Sequence, residues 1–148
     1  MAADVKDAGR ATHPSPQRNR VRTWSLATAL IAPPLAWSTQ LIASFALAAH
    51  ACYPRSAPIA APFWPGLNGV LWTISIAAMA IGWASAALAW HNWRATRDEK
   101  PGAGHALVDA GEGRTRFLAM CGLIVGCCFA LALLWTASGL LLVPACGA

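Results

Sequence analysis

Three long stretches of this chain contain no Asp, Glu, Lys or Arg, and polar segments separate them. The stretches cover residues 24–51, 66–93 and 117–143, each of 27 or 28 residues. A membrane-spanning helix needs about 20 mostly apolar residues, so each stretch is long enough to cross a bilayer. Lipid offers the backbone no hydrogen-bond partner, so an apolar run inside a membrane must be helical. The pattern therefore predicts an all-α membrane protein with three transmembrane helices.

The composition supports a membrane environment. Hydrophobic residues make up 57% of the 148 positions and charged residues 11%, whereas soluble domains carry about 25% charged residues. These values exclude a soluble enzyme, a disulfide-dense secreted scaffold and a nucleic-acid-binding domain. Membrane lipid is the first predicted partner, and no nucleic acid is expected to bind.

Positive charges alternate between the segments that flank the three runs. Five Lys or Arg residues precede the first run, one lies between the first and second, five lie between the second and third, and none follows the third. Segments rich in Lys and Arg stay on the cytoplasmic side of a membrane. We therefore predict a cytoplasmic N-terminus and a periplasmic C-terminus. The residues counted are Lys6, Arg10, Arg18, Arg20, Arg22, Arg55, Arg94, Arg97, Lys100, Arg114 and Arg116.

Four polar segments connect or flank the helices. Residues 1–23 show no apolar period and are predicted to form a disordered cytoplasmic tail. Residues 52–65 form a periplasmic loop whose four prolines predict a stiff, extended backbone. Residues 94–116 form a cytoplasmic loop, and residues 144–148 a periplasmic C-terminus. A cleaved signal peptide is the alternative for the first run, but its length exceeds the apolar segment of about 7–15 residues that signal peptides carry.

The first predicted helix contains an unusual group of residues near its middle. Pro33 and Pro34 lack a backbone N–H, which predicts a kink. Trp37 follows them inside the run, and Gln40 is the most polar side chain well within the predicted membrane. Because a buried amide needs a partner, Gln40 should face another helix. It serves either as a structural hydrogen bond or as a contact for a partner protein or a bound isoprenoid head group.

Small residues recur at four-residue spacing in the other two runs. They are Ala78, Gly82 and Ala86 in the second run, and Gly122 and Gly126 in the third. Such spacing lets the backbones of two helices approach closely in lipid. These residues are predicted to pack against other helices, either within the chain or in a larger complex.

The positions of the five cysteines predict one disulfide. Cys52 and Cys146 each lie just beyond the predicted outer end of a helix. Disulfides persist in the oxidising periplasm, so we predict a Cys52–Cys146 bond, with two unrelated thiols as the alternative. Cys121, Cys127 and Cys128 lie within the third run, where they are predicted to pack as small hydrophobic residues.

The sequence predicts no cofactor, no metal site and no enzymatic activity. His50 lies at the outer end of the first helix and His91 at the inner end of the second. Most of the bilayer separates them, so they cannot share one haem iron. A copper site at His50, Cys52 and Cys146 would require reduced thiols. No nucleophile or acid–base pair lies within the predicted membrane.

Several short segments resemble one bacterial family. Residues 30–41 read LIAPPLAWSTQL, residues 141–146 read LLVPAC, and Ala51-Cys52 follows the first helix. Residues 113–117, which read GRTRF, precede the third run. These segments resemble small, triple-span inner-membrane proteins whose first helix carries Ala-Pro-Pro-Leu-Ala-Trp, two variable residues and then Gln.

The resemblance implies a function, because genes of this family tend to lie beside those of haem–copper cytochrome c oxidases. It implies a multi-pass protein of the bacterial inner membrane that is a non-catalytic accessory subunit or assembly factor of such an oxidase. Larger respiratory membrane-protein subunits would be its partners. The alternative is a small homo-oligomeric carrier or channel, which would need a polar lumen. The polar residues available for one are Gln40, Asn68, Thr73, Ser75, Ser85, Thr136 and Ser138.

Overall fold

The computed structural model describes residues 21–55, 57–98 and 113–143, together with Cys146. Three α-helices account for most of these residues: α1 spans Thr23–Cys52, α2 spans Leu67–Ala95 and α3 spans Arg114–Leu142. Each is long and apolar enough to cross a membrane. The described part of the chain contains no β-strand. The structure therefore confirms the predicted all-α fold with three membrane-spanning helices.

The helices extend slightly into the flanking polar sequence. The third helix begins at Arg114, three residues before the apolar run that starts at position 117, and α2 continues to Ala95, two residues beyond its run. A helix does not have to end where its charge-free run ends. Outside the hydrocarbon layer, water solvates polar side chains such as Arg and Thr, and a helix can include them. Gly113 has a φ of 75° and accepts the first hydrogen bond of α3, from the N–H of Phe117 at 2.8 Å.

Much of the polar sequence at either end of the helices lies outside the described residues. This applies to residues 1–20 of the predicted disordered tail, to residues 99–112 of the predicted cytoplasmic loop, and to positions 144, 145, 147 and 148 of the C-terminus.

Consecutive helices run antiparallel, so α1 and α3 are parallel. A hydrogen bond joins Ser25 near the start of α1 to Asn92 near the end of α2. The disulfide between Cys52 and Cys146 holds the opposite ends of α1 and α3 together. We call the end of the bundle with the disulfide the disulfide end, and the end where α1 and α3 begin the arginine end.

The interior of the bundle is built mainly from small side chains. The pattern is clearest on α3, where the buried positions follow one another at intervals of three or four residues. An interval of three or four places residues on one face of a helix. Small residues let the helix backbones approach closely, which is the main source of packing energy in lipid. The buried residues of α3 are Thr115, Ala119, Gly122, Gly126, Ala130, Leu133 and Ala137.

The Pro-rich loop after α1 folds back onto that helix. The N–H groups of Ile59 and Phe63 donate to the carbonyls of Cys52 and Ala51, at 3.1 and 3.0 Å. The expectation of an extended loop is therefore wrong for this segment. The last carbonyls of a helix lack partners within the helix, and here two non-proline residues of the loop satisfy them.

The arginine end carries aromatic and basic side chains on its surface. Arg94 lies over the ring of Trp90, at 5.1 Å from its centroid, and Trp93 packs beside Trp90 with 5.2 Å between ring centroids. Arg116 donates to the backbone carbonyl of Arg97 at 2.8 Å. Aromatic and basic residues of this kind prefer the membrane–water interface.

Candidate functional site

Gln40 joins all three helices at mid-bundle. Only 4% of this residue is exposed. Its Nε2 donates to the Ser75 hydroxyl of α2 at 3.3 Å, and its Oε1 accepts from the Thr136 hydroxyl of α3 at 3.3 Å. The prediction that Gln40 faces another helix is correct, and its amide bonds to two helices rather than one. The structure therefore gives this side chain a role within the chain.

The residues that precede Gln40 also face the bundle. The helix continues without interruption through Pro33 and Pro34, and Pro33 is almost fully buried. Trp37 packs edge-on against Phe129 of α3, with 5.6 Å between ring centroids. Pro33, Trp37 and Gln40 thus lie in or beside the α1 interface with its neighbours, and Pro34 is half-buried.

The glycines of α3 bring the helix backbones into close contact. A Cβ atom on Gly126 would lie 3.1 Å from the Cα of Ala86. A Cβ atom on Gly122 would lie 3.5 Å from the Cβ of Ala29 and 3.7 Å from that of Ala89. Gly122 therefore contacts both other helices, and Gly126 lies close to the α2 backbone at Ala86.

The small-residue face of α2 is occupied in the same way. Ala78 and Ala86 are buried, and so is Gly82, whose Cβ position would meet the Leu133 side chain at 2.8 Å. Of the two alternatives that the spacing allowed, packing within the chain is therefore the one that the structure shows.

The two cysteines predicted to pair form a disulfide, with their Cα atoms 5.3 Å apart. The bond rules out a copper site that needs both thiols. By contrast, Cys127 and Cys128 are exposed on the outer surface of α3, and Cys121 is half-buried. The expectation that all three pack inside the bundle is therefore wrong for Cys127 and Cys128.

Metal-binding side chains are not clustered in the described residues, where no group of three His, Cys, Asp or Glu residues is close enough to hold an ion. His50 and His91 are both exposed, near the ends of α1 and α2 respectively. Because α1 and α2 are antiparallel, the ends that carry these histidines are at opposite ends of the bundle.

Of the polar residues available for a lumen, Gln40, Asn68 and Thr136 line one surface cleft, and the other four lie elsewhere on the helices. Ser75 and Ser85 are buried between helices, whereas Asn68 and Thr73 are exposed. The Thr73 hydroxyl bonds to the Gly69 carbonyl. The Ser138 hydroxyl likewise bonds to the Trp135 carbonyl of its own helix, whereas the single hydroxyl hydrogen of Thr136 is shared between Gln40 Oε1 and the Ala132 carbonyl. Such bonds let a hydroxyl face lipid without a missing partner.

Two depressions on the bundle surface both include Gln40. The α1–α2 groove has a volume of about 460 Å³ and an almost entirely apolar lining. Its lining residues include Ala32, Leu35, Ala36, Ile74, Ala77 and Ile81. The α1–α3 cleft has a volume of about 340 Å³ and a more polar lining. Its lining residues include Gln40, Ser44, Phe45, Asn68, Thr136 and Gly139.

Three buried polar atoms have no hydrogen-bond partner in the described part of the chain: Trp37 Nε1, Ser44 Oγ and Asn92 Nδ2. Sequence reasoning did not single out Ser44 or Asn92. Ser44 follows Gln40 by four residues, so it lies on the same side of α1. That spacing is the one signal that could have identified it.

Comparison of this chain with protein-family models, with curated proteins and with solved structures gives no match.

Replacing Gln40 with leucine should weaken the bundle without removing its packing volume. The variant loses both interhelical hydrogen bonds, each worth about 0.6 kcal/mol on average and at most about 1.7 in a membrane protein. We expect the free energy of unfolding to fall by about 1–3 kcal/mol, measured by titrating detergent-solubilised protein with sodium dodecyl sulfate. Thr39→Leu is the matched control because Thr39 is exposed. Equal stability of the two variants would contradict the structural role of the amide.

Proposed function

We propose that this chain is a non-catalytic accessory subunit or assembly factor of a bacterial haem–copper respiratory oxidase, located in the inner membrane. The observation that carries the proposal is the closed interior of the bundle. Gln40 bonds to the other two helices, and the glycines of α3 bring the backbones together. A bundle whose central contacts are made by its own residues acts through its outer surface, as a subunit embedded among other subunits does.

The sequence resemblance supplies the identity of the larger complex. The segment at residues 30–41 that carries the resemblance includes Pro33, Trp37 and Gln40, which lie at the interfaces of α1. This location accounts for the motif as a structural requirement of the bundle. The proposal that the partner is an oxidase rests on the resemblance alone.

The α1–α2 groove is the surface on which the chain would contact such a partner. Its lining includes Ala32, Ala36 and Ala77, which are small residues of the kind that permit close helix approach. Leu35 and Ile81 at its borders are exposed apolar side chains. A transmembrane helix of another subunit would cover these residues.

We also propose that the disulfide end faces the periplasm. The charge distribution of the sequence supports this orientation. The disulfide supports it independently, because such bonds persist in oxidising compartments and are rare in the cytosol.

The experiment that tests the proposed function is an affinity purification of the tagged chain from its native membranes in mild detergent. We expect oxidase subunits in a fixed ratio to the chain, and haem a or b bands in a reduced-minus-oxidised spectrum of the same eluate. Ala77→Leu should fill the groove and lower the yield of oxidase at least threefold. Ala87→Leu is the matched control, because Ala87 is exposed on α2 and outside the groove. A colourless homo-oligomer would contradict the proposal and favour the carrier or channel.

A further inference from the structure

The α1–α3 cleft is lined partly by polar side chains and lies along membrane-spanning parts of α1 and α3. On α1 it extends from Gln40 to Ala48, and on α3 from Thr136 to Val143. Eight residues of helix correspond to about 12 Å. The Gln40–Thr136 hydrogen bond crosses between α1 and α3 at one end of this stretch, and the disulfide joins the same helices beyond the other end. The cleft is thus an elongated depression between two helices that are fastened on both sides of it.

Polar atoms at the deep end of the cleft can donate hydrogen bonds to a ligand. Ser44 lines the cleft, and its Oγ has no partner among the described residues. Neighbouring atoms cover this oxygen, so a ligand reaches it by displacing them. A hydroxyl has one donor hydrogen, and an amide nitrogen has two. The bond to Ser75 accounts for one of the two on Gln40 Nε2. A ligand that brings a hydrogen-bond acceptor into the cleft would satisfy donors that the protein alone leaves unused.

The depth of these donors favours an uncharged ligand. A 30-residue helix such as α1 is about 45 Å long. If it is centred on a hydrocarbon layer of about 30 Å, each end extends about 7 Å beyond that layer. Ser44 is eight residues, or about 12 Å, before the end of α1. Ser44 therefore lies about 5 Å inside the hydrocarbon layer, and Gln40, four residues further from the end, lies about 6 Å deeper. Moving a charged head group to that depth carries a desolvation cost that a neutral ligand avoids.

The rest of the lining suits a flat ring with an apolar tail. Phe45 supplies an exposed aromatic side chain, which can pack against a ring, and Leu140 and Val143 supply aliphatic surface. A volume of about 340 Å³ is at the lower end of the range for ligand sites, roughly 300–1,000 Å³. Gly139 lines the cleft, and a Cβ atom there would meet no atom within 4 Å.

The geometry points to the α1–α3 cleft as a binding site for a neutral, membrane-dissolved lipid of the quinone type, whose ring carbonyl accepts a hydrogen bond from Ser44. This inference does not rest on the proposed oxidase function. A chain that binds no oxidase could still hold such a molecule, and an oxidase subunit could leave the cleft to other lipids.

The test uses the full chain with its disulfide intact, in detergent micelles containing a fixed amount of phosphatidylcholine. Decylubiquinone is titrated in, and native mass spectrometry measures the fraction of chains that carry one quinone. We expect a saturable adduct of one quinone per chain. Ser44→Ala should weaken this binding roughly three- to tenfold through the lost hydrogen bond.

Two glycine variants separate the cleft from general changes in the protein. Gly139→Leu should fill the cleft and weaken quinone binding at least tenfold. Gly69→Leu is the matched control, because Gly69 is also helical with no atom within 4 Å of its Cβ position but does not line the cleft. Ser44→Ala keeps the test decisive if Gly139→Leu fails to fold. Unchanged binding in a folded Gly139→Leu variant, absence of a saturable quinone adduct, or adducts of phosphatidylcholine alone would overturn the inference.

Discussion

Replacing Gly126 with leucine should separate α2 from α3 and cause one of the largest losses of stability available in this chain. A Cβ atom at position 126 would lie 3.1 Å from the Cα and 3.4 Å from the backbone nitrogen of Ala86. A backbone cannot rotate away as a side chain can, so the helices must move apart. Overpacking typically costs about 1–3 kcal/mol, and we expect Gly126→Leu to reach or exceed 3 kcal/mol because it adds four carbon atoms where the neighbouring atoms belong to a backbone.

The measurement is the free energy of unfolding in detergent titrated with sodium dodecyl sulfate. Gly69→Leu is the matched control, since it introduces the same side chain into a helix at a position with open space. Gly126→Ala should have an intermediate effect of about 1 kcal/mol. If Gly126→Leu proved as stable as Gly69→Leu, the close contact of α2 with α3 at this position would be wrong.

Removing the disulfide should produce the second large effect. Cys52 and Cys146 are 94 residues apart in sequence, and a bond that closes a long loop restricts the unfolded chain strongly. Removing a native disulfide typically costs about 2–5 kcal/mol. Unfolded transmembrane helices remain inserted in the membrane, and this insertion already restricts the unfolded chain. We therefore expect Cys52→Ser to lower the free energy of unfolding by about 2–3 kcal/mol, at the low end of the usual range.

The unfolding titration measures this loss, with Cys127→Ala as the control because Cys127 is a free, exposed cysteine. The state of the thiols in cells gives a second measurement. A high-mass maleimide added to denatured, unreduced protein should modify three of the five cysteines, and all five after reduction. Modification of five cysteines without reduction would contradict both the bond and the proposed periplasmic location of the disulfide end.

These two variants act on different parts of the same packing arrangement. Gly126 lies in a close contact of α3 with α2, whereas the disulfide joins α1 to α3 at the end of the bundle. The two sites share no contact, so their effects on the free energy of unfolding should add.

The sequence determined the three spans because the bilayer imposes a single requirement on the chain. Charged residues are too costly inside it, and a spanning backbone must be helical, so the charge-free runs are enough to locate α1, α2 and α3 within three residues. The alternating direction of the three spans also predicted that Cys52 and Cys146 lie at the same end of the bundle. The spacing of Ala78, Gly82 and Ala86 also marked the face of α2 that packs inside.

The tertiary structure decided which residues these faces meet. Helix α3 is almost equally apolar on all sides, so hydrophobicity does not show which side faces the bundle and which faces lipid. In lipid the burial of apolar surface does not drive helices together, and close fit and hydrogen bonds select the orientation. The sequence thus marked Gln40 as a contact residue. Only the packing of all three helices gave it Ser75 and Thr136 as partners and left Ser44 unpaired beside a cleft.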